Sequence, residues 1–286
     1  MFHKQADMQR RRLEIIVITV VIIGIIGYAG VGLVVAATRV AGAERTLNSV
    51  VSHQNTLNST FSDLNTQLNA LSSSSAFNPQ QAIVLVDRSV SNSQLATKTI
   101  NDDEASLNSA SSQLTSTPWL TFVERPSIDR ETARINHAHN ALVAARTIAS
   151  DELADGHFWH SLYAGLADLT TLMSQSGAND LTSAKTTLGV MKTDVDQAAQ
   201  LSTAPGLPKA LHDLMTDMQT FVADYGKQLD AKLAGDDAGV ASYQNSIVAD
   251  LQKIGGYDFD RIGAEITSYY KPLIDRFNTE IARATS

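Results

Sequence analysis

An uncharged, strongly apolar run from residue 15 to residue 37 is the feature that most constrains how this chain can fold. Its 23 residues would form a helix of roughly 35 Å, enough to cross a hydrocarbon core of about 30 Å with some tilt. A helix that is apolar on every side has no suitable place in a water-soluble domain of this size. We therefore predict that residues 15–38 form a single transmembrane helix that lies in the lipid bilayer.

The charges that flank this run predict its orientation. Four basic residues precede it, among them Arg10, Arg11 and Arg12, whereas only Arg39 and Arg45 follow it closely. Because basic residues are enriched on the cytoplasmic side of membrane helices, residues 1–14 are expected to form a short cytoplasmic tail. The predicted location is the cell membrane, crossed once, with the C-terminal part of the chain extracytoplasmic.

Whether this run is retained or removed depends on the residues that follow it. Ala41-Gly42-Ala43 has the small-x-small form of a signal-peptidase site, and cleavage there would release a product that begins at Glu44. Cleavable signals usually have an apolar core of about 7 to 15 residues, which is shorter than this run. The length favours a retained signal anchor, although cleavage after Ala43 stays open.

Small residues recur within the apolar run. Gly24, Gly27 and Gly30 are spaced by three residues, and small residues on one face allow two membrane helices to approach closely. One interpretation is a helix-packing seam in a homodimer or with another membrane protein. The other is that glycine is simply frequent in membrane helices.

A second periodic pattern follows the anchor. One glutamine, Gln54, and seven apolar residues alternate at spacings of three and four, which matches a heptad seam. The pattern predicts either a parallel coiled-coil stalk that joins two chains or the first helix of an intramolecular bundle. The apolar seam residues are Leu47, Val50, Leu57, Phe61, Leu64, Leu68 and Leu71.

The rest of the chain favours an all-α fold, because apolar residues recur at helical spacing and no stretch shows sustained period-two alternation. We expect about six to eight helices, packed as an extracytoplasmic bundle in two parts, residues 43–204 and 205–286, that divide at the Pro205-Gly206-Leu207-Pro208 break. Ser127 is the expected start of one helix, and Asp155-Gly156 is an expected turn. The predicted buried stripes include Phe158, Leu162, Leu166, Leu169 and either Leu172 or Met173; Leu211, Leu214, Met218, Phe221, Tyr225 and Leu229; and Ile262, Ile266, Tyr269, Leu273, Phe277 and Ile281.

Composition excludes several kinds of partner and site. The net charge is −8 although four basic residues lie in the first 14, so the remainder is more acidic still and nucleic-acid binding is not expected. The chain has no cysteine, which excludes disulfides, thiolate nucleophiles and thiolate metal sites.

Histidine is the only residue type that suggests a metal site. Four of the seven histidines lie between residues 137 and 160, and His157 and His160 share a helix face at a spacing of three. Two histidines without a placed carboxylate make only half of a zinc site, so they are weak candidates. No catalytic or nucleotide-binding motif is present, and we predict no cofactor and no enzymatic activity.

These features favour a structural or protein-interaction module that is held at the membrane by one helix. The alternative is a ligand-sensing or solute-binding helical domain. An anchor followed by long helices resembles, in architecture alone, the extracytoplasmic sensor bundles of chemotaxis-type receptors. Those receptors have a second membrane helix and a cytoplasmic output domain, so sensing here would need a separate membrane partner.

Overall fold

A computed structural model describes residues 44–50, 52–53, 78–115 and 121–286, and within these ranges every regular element is an α-helix. The prediction of an all-α bundle is therefore confirmed for this part of the chain. Residues 44–50 form α1, and residues 52 and 53 are also helical. The later helices are α2 (Pro79–Thr115), α3 (Thr121–Gly177), α4 (Leu181–Leu201), α5 (Lys209–Ala234), α6 (Asp237–Ile254) and α7 (Phe259–Thr285).

The predicted transmembrane helix, residues 15–38, lies outside the described residues and stays a prediction. No helix in the described ranges combines the length and the apolar character needed to cross a bilayer.

Contacts divide the described chain into two compact units. Unit 1 contains residues 78–90 and 154–266, and unit 2 contains residues 44–50, 52–53, 91–115, 121–153 and 267–286. The turn at residues 205–208 lies inside unit 1, between α4 and α5. The proposed division after residue 204 stays a prediction.

Unit 1 contains a run of three shorter helices with clear local start and stop signals. The carboxylate of Asp180 accepts a hydrogen bond from the backbone N–H of Ser183 and caps α4, and Asp236 caps α6 in the same way through Gly239. Gly235 ends α5 in the left-handed region, with φ of 71°, where a side chain would be strained. The stripe predicted for α5 is buried at Leu211, Leu214, Met218, Phe221 and Leu229.

The predicted turn at Asp155-Gly156 is wrong, because α3 continues through both residues to Gly177. Gly156 is buried, and a Cβ placed on it would lie 2.5 Å from Cγ2 of Val90 on α2. This glycine therefore allows two helices to approach closely instead of breaking one of them. The start of α3 also differs from expectation, since the helix begins at Thr121 and not at Ser127.

Unit 2 is held by apolar side chains from α1, α2, α3 and α7. In α7 the predicted stripe is buried at Ile262, Ile266, Phe277 and Ile281. At the two positions between them, Tyr270 and Ile274 are buried where Tyr269 and Leu273 were expected. The most deeply buried side chains of unit 2 include Val50, Ile100, Leu107, Ile135, Leu142 and Tyr270.

Candidate functional site

The two histidines that are weak candidates for a metal site, His157 and His160, have different surroundings. His157 is exposed, whereas Nδ1 of His160 lies 2.7 Å from Oδ1 of Asp87, which joins α3 to α2 within unit 1. The described residues contain no group of three or more histidines and carboxylates arranged to hold a metal ion. His160 is instead the positively charged partner of Asp87 whenever its ring is protonated.

The other clustered histidines bind polar partners in unit 2. Nδ1 of His137 lies 2.7 Å from Oε2 of Glu280 on α7, and Nε2 of His139 lies 2.8 Å from the side-chain oxygen of Asn108 on α2. Each of these two histidines thus joins α3 to another helix, and the two do not bind a common partner.

Few of the remaining predicted site residues can be placed. Arg10, Arg11 and Arg12 and the glycines Gly24, Gly27 and Gly30 lie outside the described residues. In the heptad seam, Leu47 and Val50 are buried within the single chain, and Nδ1 of His53 lies 2.8 Å from Oδ1 of Asp103 on α2. These contacts support the intramolecular interpretation for the start of the seam. The seam residues from residue 57 onward, Leu57, Phe61, Leu64, Leu68 and Leu71, are outside the described ranges.

Four titratable side chains from three helices of unit 1 form the candidate site, and we call them the carboxyl cluster: Asp87, His160, Asp168 and Asp194. The approach of α3 to α4 is set by Gly165, since a Cβ there would lie 3.3 Å from Cγ2 of Val195 and 3.8 Å from Cβ of Asp194. Asp168 follows Gly165 by three residues and therefore shares its helix face. The sequence thus places a carboxyl group from each helix at a point of close contact.

The pKa values of the aspartates on α3 and α4 are both raised. Burial raises the pKa of Asp168, and the negative charge of Asp194 and the hydrogen bond to it raise that pKa further. Burial also raises the pKa of Asp194, although the hydrogen bond from Asp168 and the charge of His160 act in the opposite direction. Both aspartates therefore hold a proton more readily than an exposed aspartate does.

Three buried aromatic residues lie next to one another on α3. The ring of Phe158 meets that of Trp159 edge-on at 5.0 Å between centroids, and Trp159 stacks on Tyr163 at 5.9 Å. Burial raises the pKa of the Tyr163 hydroxyl well above its ordinary value.

The carboxylate of Asp217 in unit 1 is buried, and two hydrogen-bond donors stabilise its negative charge. Asp217 of α5 accepts hydrogen bonds from Nζ of Lys253 at 2.5 Å and from the hydroxyl of Tyr257 at 2.7 Å. Burial opposes its charge, but these two donors leave the pKa of Asp217 below its ordinary value. This group therefore stays ionised and links α5 to the end of α6, whereas the pKa values of Asp168 and Asp194 are raised.

The stability of unit 2 is expected to depend on pH through Glu280. The hydrogen bond with His137 lowers the pKa of Glu280, and Asn140 and Arg283 act in the same direction. A lowered pKa contributes stability that is complete above the ordinary glutamate pKa of about 4.3 and is lost as the pH falls through the lowered value.

Replacing Glu280 with glutamine should therefore reduce the loss of unit 2 stability between neutral pH and about pH 3. The measurement is the urea midpoint of the wild type and of E280Q at a series of pH values. Glu265→Gln is the matched control, since Glu265 is exposed on the same helix. Equal pH profiles for E280Q and the wild type would contradict the expectation.

Sequence reasoning did not find the carboxyl cluster. His160 was singled out for its spacing to His157, but its partner Asp87 lies 73 residues away in the chain. The available signal was local, namely a glycine three residues before an aspartate on a helix face, which is too common to be specific. The contact that the structure shows within the cluster is the one between His160 and Asp87, which joins α3 to α2.

The chain was compared with protein-family models, with curated protein sequences and with solved structures, and none of the three comparisons found a match.

Proposed function

We propose that this chain is a single-pass membrane protein whose extracytoplasmic helical bundle serves as a structural or protein-interaction module. The observation that carries the proposal is the uncharged run of residues 15–37, preceded by Arg10, Arg11 and Arg12. Such a run is typical of a membrane helix, and the basic flank favours a cytoplasmic N-terminus.

The described part of the chain supports the second half of the proposal. Its regular elements are all helices, and many of its charged residues form pairs within or between helices, such as Lys271 with Asp275 and His137 with Glu280. Paired charges at helix surfaces serve mainly to position helices and keep a bundle soluble. A module of this kind acts through its surface and not through chemistry.

A second candidate function is sensing, with a separate membrane partner. It is favoured by the carboxyl cluster, because partly buried titratable groups cost free energy and are not needed to hold helices together. A sensor should show a ligand-dependent increase in unfolding temperature, since a ligand that binds only the native state stabilises it by mass action.

The anchor is tested by expressing the full chain in a bacterium, separating membrane from soluble fractions and measuring the intact mass of each. Full-length protein in the membrane, with its C-terminal part open to protease added from outside, would support the proposal. A soluble product that begins at Glu44 would overturn the anchor and leave a secreted helical domain.

A matched pair of variants makes this test specific for residues 15–38. Val21→Arg combined with Ile25→Arg places two charges near the bilayer centre, at a cost of about 2.5–3.5 kcal/mol each, and should move the protein out of the membrane fraction. Val21→Leu combined with Ile25→Leu should leave it there. Equal distribution of the two double variants would contradict a membrane-spanning role for this segment.

A further inference from the structure

One stripe of buried residues follows the part of α2 that belongs to unit 2. Its members recur at alternating spacings of three and four, which is the pattern of a coiled-coil seam. They are Ser93, Ala96, Ile100, Asp103, Leu107 and Ala110. The side chains of Asn101 and Asn108 contact α3 instead. Because Asn101 and Asp103 are two residues apart, they do not share a face, so this part of the stripe is turned away from the contacts with α3.

At Asp103 the helix that meets the stripe is α1. Nδ1 of His53 lies 2.8 Å from Oδ1 of Asp103, and the seam residues Leu47 and Val50 that precede His53 are buried. Oδ2 of Asp103 and the hydroxyl of Ser93 are shielded from solvent, and neither has a hydrogen-bond partner within the described ranges. The chain that follows His53 is therefore placed to continue over the stripe, from Asp103 toward Ser93.

The length of the chain between α1 and α2 favours this direction. It leaves His53 beside Asp103 and returns just before Pro79, the first residue of α2. Asp103 lies 24 residues after Pro79 in one continuous helix, which is roughly 36 Å along the axis. The 24 residues 54–77 would cover the same roughly 36 Å as a helix. A continuation of α1 antiparallel to α2 thus joins the two ends, and the serine run 72–75 is available for the turn.

We propose that residues 54–71 dock antiparallel to α2 along its buried stripe, so that the heptad seam is covered within one chain and not by a second copy. The contact between His53 and Asp103 sets the register of the two helices. The seam residues then lie opposite stripe residues in the pairs Leu57 with Ile100, Phe61 with Ala96 and Leu64 with Ser93. In two of these pairs a large side chain meets a small one, which suits close packing of two helices.

The other possible occupant of the seam is a second copy of the chain, in a parallel stalk. It is less favoured because Leu47 and Val50, at the start of the same seam, are buried within the single chain. A seam that is covered by α2 is not available to join two chains, so a surface that binds a partner must lie elsewhere on the bundle. This inference goes beyond the proposed function, and it does not depend on the membrane anchor because both helices belong to one chain.

Disulfide cross-linking of the full-length chain in detergent micelles tests the docking, since the chain has no cysteine of its own. Phe61→Cys combined with Ala96→Cys should form an internal disulfide when oxygen and copper–phenanthroline are added, detected by intact mass and by the linked tryptic peptides. Phe61→Cys combined with Lys98→Cys is the matched control, because Lys98 is exposed and lies two residues from Ala96 on another side of α2. The first pair should cross-link at least about tenfold faster, since a disulfide needs Cβ atoms about 3.5–4.5 Å apart.

A second pair keeps the test independent of any single substitution. Leu64→Cys combined with Ser93→Cys lies in the same register and should also form an internal disulfide. Phe61→Cys alone should stay monomeric under oxidation, whereas a parallel stalk would give a covalent dimer. The proposal would be overturned by a dimer of F61C, by the absence of an internal disulfide in both register pairs, or by equal rates for the register pairs and the Lys98 control.

Discussion

Replacing Phe158 with alanine should lower the free energy of unfolding of unit 1 by about 3–5 kcal/mol, the largest effect expected of a single truncation here. The side chain is fully buried (0% exposed) and contacts the ring of Trp159 edge-on. Its loss removes the burial of a large apolar surface, leaves a cavity and abolishes the aromatic contact. Urea unfolding measures the change, with Trp159 as the fluorescent reporter in a Trp119→Phe background.

Met173→Ala is the matched control for this prediction. Met173 lies on the same helix but is 54% exposed, so its truncation should change the free energy of unfolding by less than about 0.5 kcal/mol. The two variants remove side chains of comparable type and differ mainly in burial. A loss below about 1 kcal/mol for F158A would show that the core of unit 1 does not depend on this aromatic group.

The sequence predicts the buried face of a helix well where one apolar residue occupies each turn. In α5 five of the six residues of the expected stripe are buried, namely Leu211, Leu214, Met218, Phe221 and Leu229. The adjacent Met215 and Val222 are buried as well, so the covered face of α5 is wider than the predicted stripe. In α3 the alternative between two adjacent residues is resolved in favour of Leu172, which is fully buried while Met173 is exposed.

Periodicity fails where two adjacent residues are equally apolar. In α7 the pairs Tyr269–Tyr270 and Leu273–Ile274 both fit a spacing of three or four, and the structure buries the second member of each. The hydroxyl of Tyr269 donates a hydrogen bond to Oδ2 of Asp151 at 2.8 Å, and Asp151 lies 118 residues away in the chain. The spacing of apolar residues within α7 carries no information about a partner so distant.

Pairing between distant segments explains why the candidate site was not predictable. Asp168 and Asp194 each look like an ordinary polar residue on a helix, and nothing in the sequence indicates that Gly165 brings α3 close to α4 beside them. A similar contact explains the wrong turn at Gly156. In both cases a glycine indicates a helix–helix contact, although glycine in isolation indicates a turn or a helix end.

Two identical glycine-to-alanine substitutions in unit 1 should therefore have different effects. Gly156 and Gly189 both lie inside helices, but a Cβ at Gly189 would meet no atom within 4 Å. Gly189→Ala should raise the free energy of unfolding by about 0.5–1 kcal/mol, because alanine loses less backbone entropy than glycine. Gly156→Ala has the same entropic gain but must displace Val90, so its free energy of unfolding should be lower than that of G189A by about 1–3 kcal/mol.

The contact itself is tested by making room for the new methyl group. Val90 is β-branched and lies in a helix, where its side chain has one strongly preferred rotamer and cannot easily turn away. In the Val90→Ala background, G156A should therefore cost much less than in the wild type, with a coupling of about 0.5–3 kcal/mol in the double-mutant cycle. Urea midpoints of the four proteins give this coupling directly. Additive effects, or equal stabilisation by G156A and G189A, would contradict the close approach of α2 and α3 at Gly156.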